Sequence, residues 1–161
     1  MRLGLTLIGG LLATGIAATS AIGEDKADPA LMAAVKARQA HMSLYAFNIG
    51  ILGAMAKGDV DYDAAVATAA ADNLTALAQI DETRYWPPGT SDADLGADVT
   101  RALPAIWAES STVADDMIAL NDATVALQLA AGNGLDSLRG AIGPVGKACG
   151  ACHENFRKPS N

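Results

Sequence analysis

The chain has 161 residues, a formal net charge of −7 and aromatic side chains at only 4% of positions. This length suits one domain with a single hydrophobic core. An acidic chain without clusters of basic residues is not expected to bind nucleic acid. Abundant alanine with few aromatic residues suits closely packed helices.

Residues 1–21 predict a secretory signal peptide. Arg2 provides the positive start, residues 3–18 carry no charge, and small residues then allow cleavage after residue 21 or as late as Gly23. A membrane anchor is the alternative, but the apolar run is short and an acidic pair follows it. We therefore expect export to the periplasm, no stable membrane anchor, and a mature domain over residues 24–161. Its net charge is −8, because cleavage removes Arg2.

The first predicted helix runs from Pro29 to Lys57. Asp28 is a suitable N-cap, Pro29 fits the first turn and Gly58 fits the end. Apolar residues recur in steps of three and four, which predicts one side facing the core of a helical bundle. That side comprises Leu31, Val35, Met42, Tyr45, Ile49, Leu52 and Ala56, with Arg38 as the one charged residue among them.

A second helix is predicted from Tyr62 to Ile80, with Asp61 as its N-cap. Its inward residues are predicted to be Val66, Ala70, Leu74, Leu77 and Ile80. A loop of about twenty residues follows, at 81–100, and includes Trp86 and two prolines. Loops of this length in small domains are often functional or packed as a lid, so we expect Trp86 to pack over one end of the bundle.

The third and fourth helices are predicted from Leu103 to Ala131 and from Leu135 to Lys158. Pro144 should kink the fourth helix or leave a carbonyl unpaired near Gly140. Four amphipathic helices with two short connections and one long one predict an all-α, antiparallel four-helix bundle.

The two cysteines of the chain lie in the last predicted helix, as Cys149-Gly150-Ala151-Cys152-His153. This C-x-x-C-H pattern is typical of covalent c-type haem attachment. Two thiols add to the two vinyl groups of one haem, and the adjacent imidazole binds the iron. Both cysteines lie on the core-facing side of the helix. We therefore expect one haem c, bound between helices near the C-terminal end of the last one.

Three other interpretations of the cysteine pair are weaker. A thioredoxin-like redox pair requires a βαβ unit, which the sequence does not predict. A zinc site lacks a second Cys/His pair, because His41 is the only other histidine. A structural disulfide across so short a loop would stabilise the fold only slightly.

A haem motif at the end of the last helix of a four-helix bundle resembles cytochrome c′, the class II c-type cytochromes. The segment GKACGACHENFRK, at 146–158, is similar to the last-helix signature of this family. The segments Arg38-Gln39-Ala40-His41-Met42, Pro88-Gly89-Thr90 and Ala105-Ile106-Trp107 resemble its first helix, its long loop and the start of its third helix.

The resemblance implies roles for residues of the last helix. His153 corresponds to the proximal iron ligand, and Cys149 and Cys152 correspond to the thioether anchors. Arg157 corresponds to the basic residue beside the proximal histidine. As an alternative, a basic residue in a final helical turn simply compensates the helix dipole.

The resemblance also implies that the first helix contacts the haem. Arg38 is expected to meet a propionate, with Gln39 beside it in the binding segment; a surface position is the alternative for Arg38. Met42 corresponds to the residue facing the other side of the iron. It either crowds that side without coordination or serves as a sixth ligand, and we expect the former. His41 lies about 100° around the helix from Met42 and is expected at the surface or at an interface, with a role as sixth ligand as the alternative.

These correspondences imply a periplasmic monohaem cytochrome whose high-spin, five-coordinate haem binds NO or CO and takes part in electron transfer or NO handling. The alternative is a low-spin electron carrier with His153 and Met42 as ligands. No pair of carboxylates or nucleophile–base arrangement predicts an enzyme. The expected partners are gaseous ligands, redox proteins and a second copy of the chain. Dimers through the first two helices are common in the family, and Tyr45, Ile51 and nearby residues are the candidates for that surface.

Overall fold

The structure, a computed structural model, describes residues 28–159. The predicted signal peptide and its cleavage position lie outside these residues. The described chain forms five α-helices and two 3-10 turns, and no β-strand occurs within it. The helices are α1 (Pro29–Lys57), α2 (Ala64–Ala78), α3 (Asp92–Leu95), α4 (Val113–Ala131) and α5 (Leu135–Phe156), and the turns are Thr83–Tyr85 and Pro104–Trp107.

Helices α1, α2, α4 and α5 form the predicted four-helix bundle. Contacts join α1 to α2, α2 to α4, α4 to α5 and α5 to α1, so each helix has two neighbours around a common core. Fully buried side chains in this core are Leu52, Leu74, Leu127, Leu138 and Val145. No helix within residues 28–159 has the length and hydropathy needed to cross a membrane.

Helix α1 has the predicted bounds because both of its ends carry local signals. The Asp28 side chain accepts a hydrogen bond from the N–H of Ala30 at 2.8 Å. At the other end Gly58 takes φ +85°, a left-handed conformation that glycine adopts without a steric penalty. Its N–H donates to the carbonyls of Ala54 and Met55 and thereby closes the last turn.

Helix α2 is shorter than predicted, and its buried side is different. Its N-cap is Asp63, not Asp61, and the Asp63 carboxylate accepts from the N–H of Val66 at 3.0 Å. Val66 and Ile80 were predicted to face inward but are 44% and 43% exposed. Alanine-rich helices offer little apolar contrast between their sides, so close packing of small residues decides which side is buried. The buried residues of α2 are Ala67, Ala70, Ala71, Leu74, Thr75 and Leu77.

The third long helix begins at Val113, and the prediction of a start at Leu103 was wrong. Residues 101–103 are extended against the end of α5 instead. Ala102 pairs with Arg157, and the N–H of Leu103 donates to the carbonyl of Phe156 at 3.0 Å. These long-range hydrogen bonds override the helical periodicity of the segment.

Helix α5 is continuous across Pro144 and ends at Phe156, two residues before the predicted end. Pro144 and Gly140 are both exposed, so water can reach the carbonyl that the proline leaves without an N–H partner. The helix ends because Arg157 takes an extended conformation and pairs with Ala102.

Candidate cofactor site

A cavity of about 590 Å³ lies between α1, the N-terminal half of α4, the C-terminal end of α5 and the long loop. Met42 lines it from α1, and Cys149, Cys152 and His153 of the Cys-x-x-Cys-His motif line it from α5. Its apolar lining includes Ile49, Ile106, Val113, Met117, Leu120 and Phe156. Organic cofactors commonly occupy mostly apolar pockets of about 300–1,000 Å³, so the cavity has a suitable size and surface.

Helix α5 presents the side chains of the motif to this cavity. Cys149 and His153 are four residues apart and share one side of the helix, with Cys152 on the neighbouring turn. All three side chains are half-buried, and both thiols are free. A disulfide is therefore absent within residues 28–159, and both sulfur atoms are available to one ligand.

Burial raises the pKa of both thiols. The pKa of Cys149 lies above its usual range for this reason. Burial raises the pKa of Cys152 to about 11, and the negative charge of Asp116 is the next largest cause, ahead of Cys149 and Glu82. The positive charge of Arg157 partly offsets this increase. Both cysteines are therefore uncharged thiols at neutral pH in this structure.

The imidazole of His153 has a lowered pKa. Burial is the main cause, and the positive charges of Arg157 and Arg101 lower it further. Neutral imidazole is the form that binds a metal ion, so these surroundings favour a ligand role for His153. Arg157 and His153 both line the cavity, and the role of Arg157 beside a proximal ligand stays a prediction.

Arg38 is buried and holds the long loop against α1. Only 3% of it is exposed, which excludes the surface alternative. Its Nη1 donates to Thr90 Oγ1 at 2.7 Å, and its Nη2 donates to the Thr90 carbonyl and to Thr100 Oγ1, both at 2.6 Å. The guanidinium carbon also lies 5.0 Å from the centre of the Trp86 ring. Arg38 lines the cavity as well, and its contact with a propionate stays a prediction.

Gln39 and Arg157 lie at the cavity opening, and both are exposed. The Gln39 amide donates to the carbonyl of Val99 at 2.9 Å and so also holds the loop. The structure thus brings every predicted site residue to one cavity, although their roles toward a cofactor stay predictions. They are Arg38, Gln39, Met42, Cys149, Cys152, His153 and Arg157.

His41 is buried within the fold, so its predicted position at the surface or at an interface was wrong. It is 4% exposed, with its ring stacked on Tyr45 at 4.9 Å and edge-on to Tyr85 at 5.7 Å between ring centres. Tyr85 belongs to the 3-10 turn that folds over α1. An angular position on a helix cannot reveal that a distant loop covers it.

Several polar residues of the site were given no site role by sequence reasoning. Thr90 and Thr100 supply acceptors for Arg38, and an arginine within an apolar stripe was the one signal that such acceptors must exist. Glu82 and Asp116 line the cavity, and no sequence pattern pointed to them. Trp86, which was expected to pack over one end of the bundle, lines the cavity, and its indole N–H donates to Glu82 Oε2 at 2.9 Å.

Comparisons with known proteins agree with the geometry. The sequence model of a family described as Cytochrome C′ matches residues 33–157. A relative called cytochrome c-554, from Cereibacter sphaeroides, is 40% identical over 124 residues, which span 77% of this chain and 80% of that protein. The solved structure of cytochrome c′ from Rhodobacter Spheriodes is 40% identical and superposes with a TM-score of 0.77, covering 83% of this chain and 100% of that one.

A second solved structure is the nitric oxide complex of a mutant of cytochrome c prime from Alcaligenes xylosoxidans. It is 32% identical and covers 83% of this chain and 100% of that one, with a TM-score of 0.70. In the present chain, two free thiols, a neutral imidazole and an apolar cavity fit a covalently attached haem. The chain therefore belongs to the cytochrome c′ family and is a c-type cytochrome that carries haem c.

Proposed function

We propose that the protein binds small uncharged gases, NO and CO, at a five-coordinate haem, and that it exchanges electrons with redox partner proteins in the periplasm. The predicted signal peptide would direct it there. Cys149 and Cys152 would hold the haem through thioethers, and His153 would bind its iron. The haem would supply an iron centre that binds gases and that accepts or releases one electron. The observation that carries the proposal is that Met42 on α1 and the motif on α5 line the same cavity.

The surroundings of Met42 support selection of uncharged ligands. Met42 is half-buried and packs against the main hydrophobic core. Its neighbours on the cavity wall include Ile49, Met117 and Leu120. Moving a charged ligand into such surroundings costs far more than moving an uncharged diatomic. The nitric oxide complex of the Alcaligenes xylosoxidans relative supports the same ligand class.

A six-coordinate electron carrier is the second candidate. It is favoured by the presence of a thioether sulfur, that of Met42, in the cavity. In this case Met42 would be an iron ligand instead of a barrier, and gases would have to displace it.

Met42→Ala separates the two candidates. If Met42 is a barrier, the variant keeps the spin state of the wild type and binds CO about tenfold faster, because a barrier lower by about 1.4 kcal/mol gives that factor. The association rate is measured by flash photolysis of the ferrous CO complex. Met32→Ala is the control, because Met32 lies on α1 outside the cavity lining and should leave the rate unchanged. A change of spin state in Met42→Ala alone would instead identify Met42 as a ligand.

We also propose that the protein forms a homodimer through α1 and α2. Tyr45, a candidate for this surface in the sequence analysis, is buried in the core and cannot contribute to it. Leu44 and Phe47 on α1 are instead 51% and 76% exposed, and Val66 on α2 is 44% exposed. Exposed apolar side chains on these two adjacent helices favour a contact surface there. In sedimentation velocity at micromolar concentration, the wild type should be a dimer and Phe47→Glu a monomer. Leu129→Glu is the control, because Leu129 is 74% exposed on α4. A monomeric wild type would contradict this proposal.

A further inference from the structure

Glu82 places a carboxylate on the wall of the haem cavity. The residue immediately precedes the 3-10 turn Thr83–Tyr85 and lines the cavity, with only 14% of its side chain exposed. Residues with a negative charge are rarely buried to this degree unless they are paired or functional. The known requirements of haem attachment, which Cys149, Cys152 and His153 meet, do not include this carboxylate.

One oxygen atom of Glu82 accepts a hydrogen bond that orients the side chain, and the other lies near a buried imidazole. Oε2 accepts the indole N–H of Trp86 at 2.9 Å. Oε1 lies 3.8 Å from Nε2 of His41, and this nitrogen has no hydrogen-bond partner within residues 28–159. Trp86 is itself held in place, because its carbonyl accepts from the indole N–H of Trp107 at 2.9 Å. The carboxylate is therefore held in one position on the cavity wall.

Arg38, a buried cation of the cavity lining, is engaged elsewhere. The two Nη atoms of Arg38 donate to Thr90 and Thr100 at 2.6–2.7 Å, which directs the guanidinium toward the loop. The charge of Glu82 also acts on Tyr45, another residue of the cavity lining. After burial, this charge is the largest cause of the raised pKa of Tyr45. Charges in such poorly solvated surroundings interact more strongly than charges at a surface.

A fixed negative charge beside the haem acts differently on the two oxidation states of iron. Ferric haem carries one more positive charge than ferrous haem, so a nearby carboxylate stabilises the ferric form more. We propose that Glu82 sets the reduction potential of the haem by favouring the ferric state. This inference requires the bound haem but does not depend on whether gases bind to it.

The test is the midpoint potential of the holoprotein, measured by spectroelectrochemistry. In Glu82→Gln the ferric–ferrous equilibrium should shift about tenfold toward the ferrous state, which for one electron is about 59 mV. Glutamine keeps the size of the side chain and an oxygen acceptor for the Trp86 N–H. Glu82→Met, a second uncharged variant, should shift the potential in the same direction. Glu82→Asp keeps the charge and should remain closer to the wild type than either.

Asp98→Asn is the matched control. Asp98 also lines the cavity and its removal changes the net charge by the same amount, but it is exposed, so solvent screens its charge. We expect the midpoint potential of Asp98→Asn to differ from that of the wild type by less than about a third of the shift seen in Glu82→Gln. The ferric absorption spectrum should be the same in all variants, which shows that the iron coordination has not changed.

Three results would overturn the proposal. The first is an unchanged potential in both uncharged variants, and the second is an equal shift in Asp98→Asn. The third is failure of both uncharged variants to fold with haem while Glu82→Asp succeeds, which would assign the carboxylate to folding. Failure of the gas-binding proposal can be told apart from failure of this one. It would appear as a six-coordinate iron in the wild type, whereas this proposal depends only on the difference in midpoint potential between the variants.

Discussion

Replacing both Cys149 and Cys152 by serine is expected to abolish covalent haem attachment. The chain contains no other cysteine, and a serine hydroxyl cannot replace a thiol in the addition to a haem vinyl group. Haem-dependent peroxidase staining after denaturing electrophoresis should therefore fall from full intensity to background. Stability should fall as well, because the apolar cavity of about 590 Å³ loses its ligand. A ligand held at an effective concentration 1,000 times its Kd stabilises a fold by about 4 kcal/mol, which sets the scale of the loss.

The single variants Cys149→Ser and Cys152→Ser are the controls for this experiment. Each keeps one half-buried thiol on the cavity wall, so each should retain some covalently bound haem. Covalent haem in the double variant at the level of the wild type would contradict the assignment of the two cysteines.

Replacing Arg38 by methionine is expected to lower the free energy of unfolding by about 3–5 kcal/mol, because three buried acceptor atoms lose the donor that they share. Methionine fills much of the same volume but donates no hydrogen bond. The Thr90 carbonyl and the hydroxyls of Thr90 and Thr100 then lose a charged donor in a buried position. Each buried polar group left unsatisfied costs about 1–3 kcal/mol. The change is measured by urea unfolding of the holoprotein, followed by circular dichroism.

Lys36→Met is the matched control for Arg38→Met. Lys36 lies on the same helix and also carries a positive charge, but it is exposed. Its replacement should change the stability by no more than about 0.5 kcal/mol. Equal stability of the two variants would show that Arg38 does not hold the loop in the way that its hydrogen bonds indicate.

The sequence predicted those parts of the fold that local signals determine. Helix α1 has the predicted bounds because Asp28 and Gly58 act within one turn of its ends. The predicted start of α4 was wrong because Ala102 and Leu103 pair with residues at the end of α5, which are far away in sequence. A periodic pattern carries no information about such pairing, and the extended segment competes with the helix only in the folded protein.

In the candidate site, too, the sequence predicted what local signals determine and not what long-range contacts determine. The motif on α5 and the position of Met42 on α1 could be predicted from the sequence, because fixed spacing on a helix determines which side chains share a side. The burial of His41 and the carboxylate of Glu82 were not, because both depend on the path of the loop between α2 and α4. That path is set by the hydrogen bonds of Arg38 with Thr90 and Thr100, about fifty to sixty positions away in sequence.

The most direct test of the proposed function is the absorption spectrum of the wild-type holoprotein, matured in a bacterial periplasm. A five-coordinate haem with His153 as its single axial ligand predicts high-spin bands in the ferric state and rapid formation of a CO complex after reduction. A low-spin ferric spectrum with a sulfur-to-iron charge-transfer band, together with a ferrous form that does not bind CO, would contradict the gas-binding account and identify Met42 as the sixth ligand.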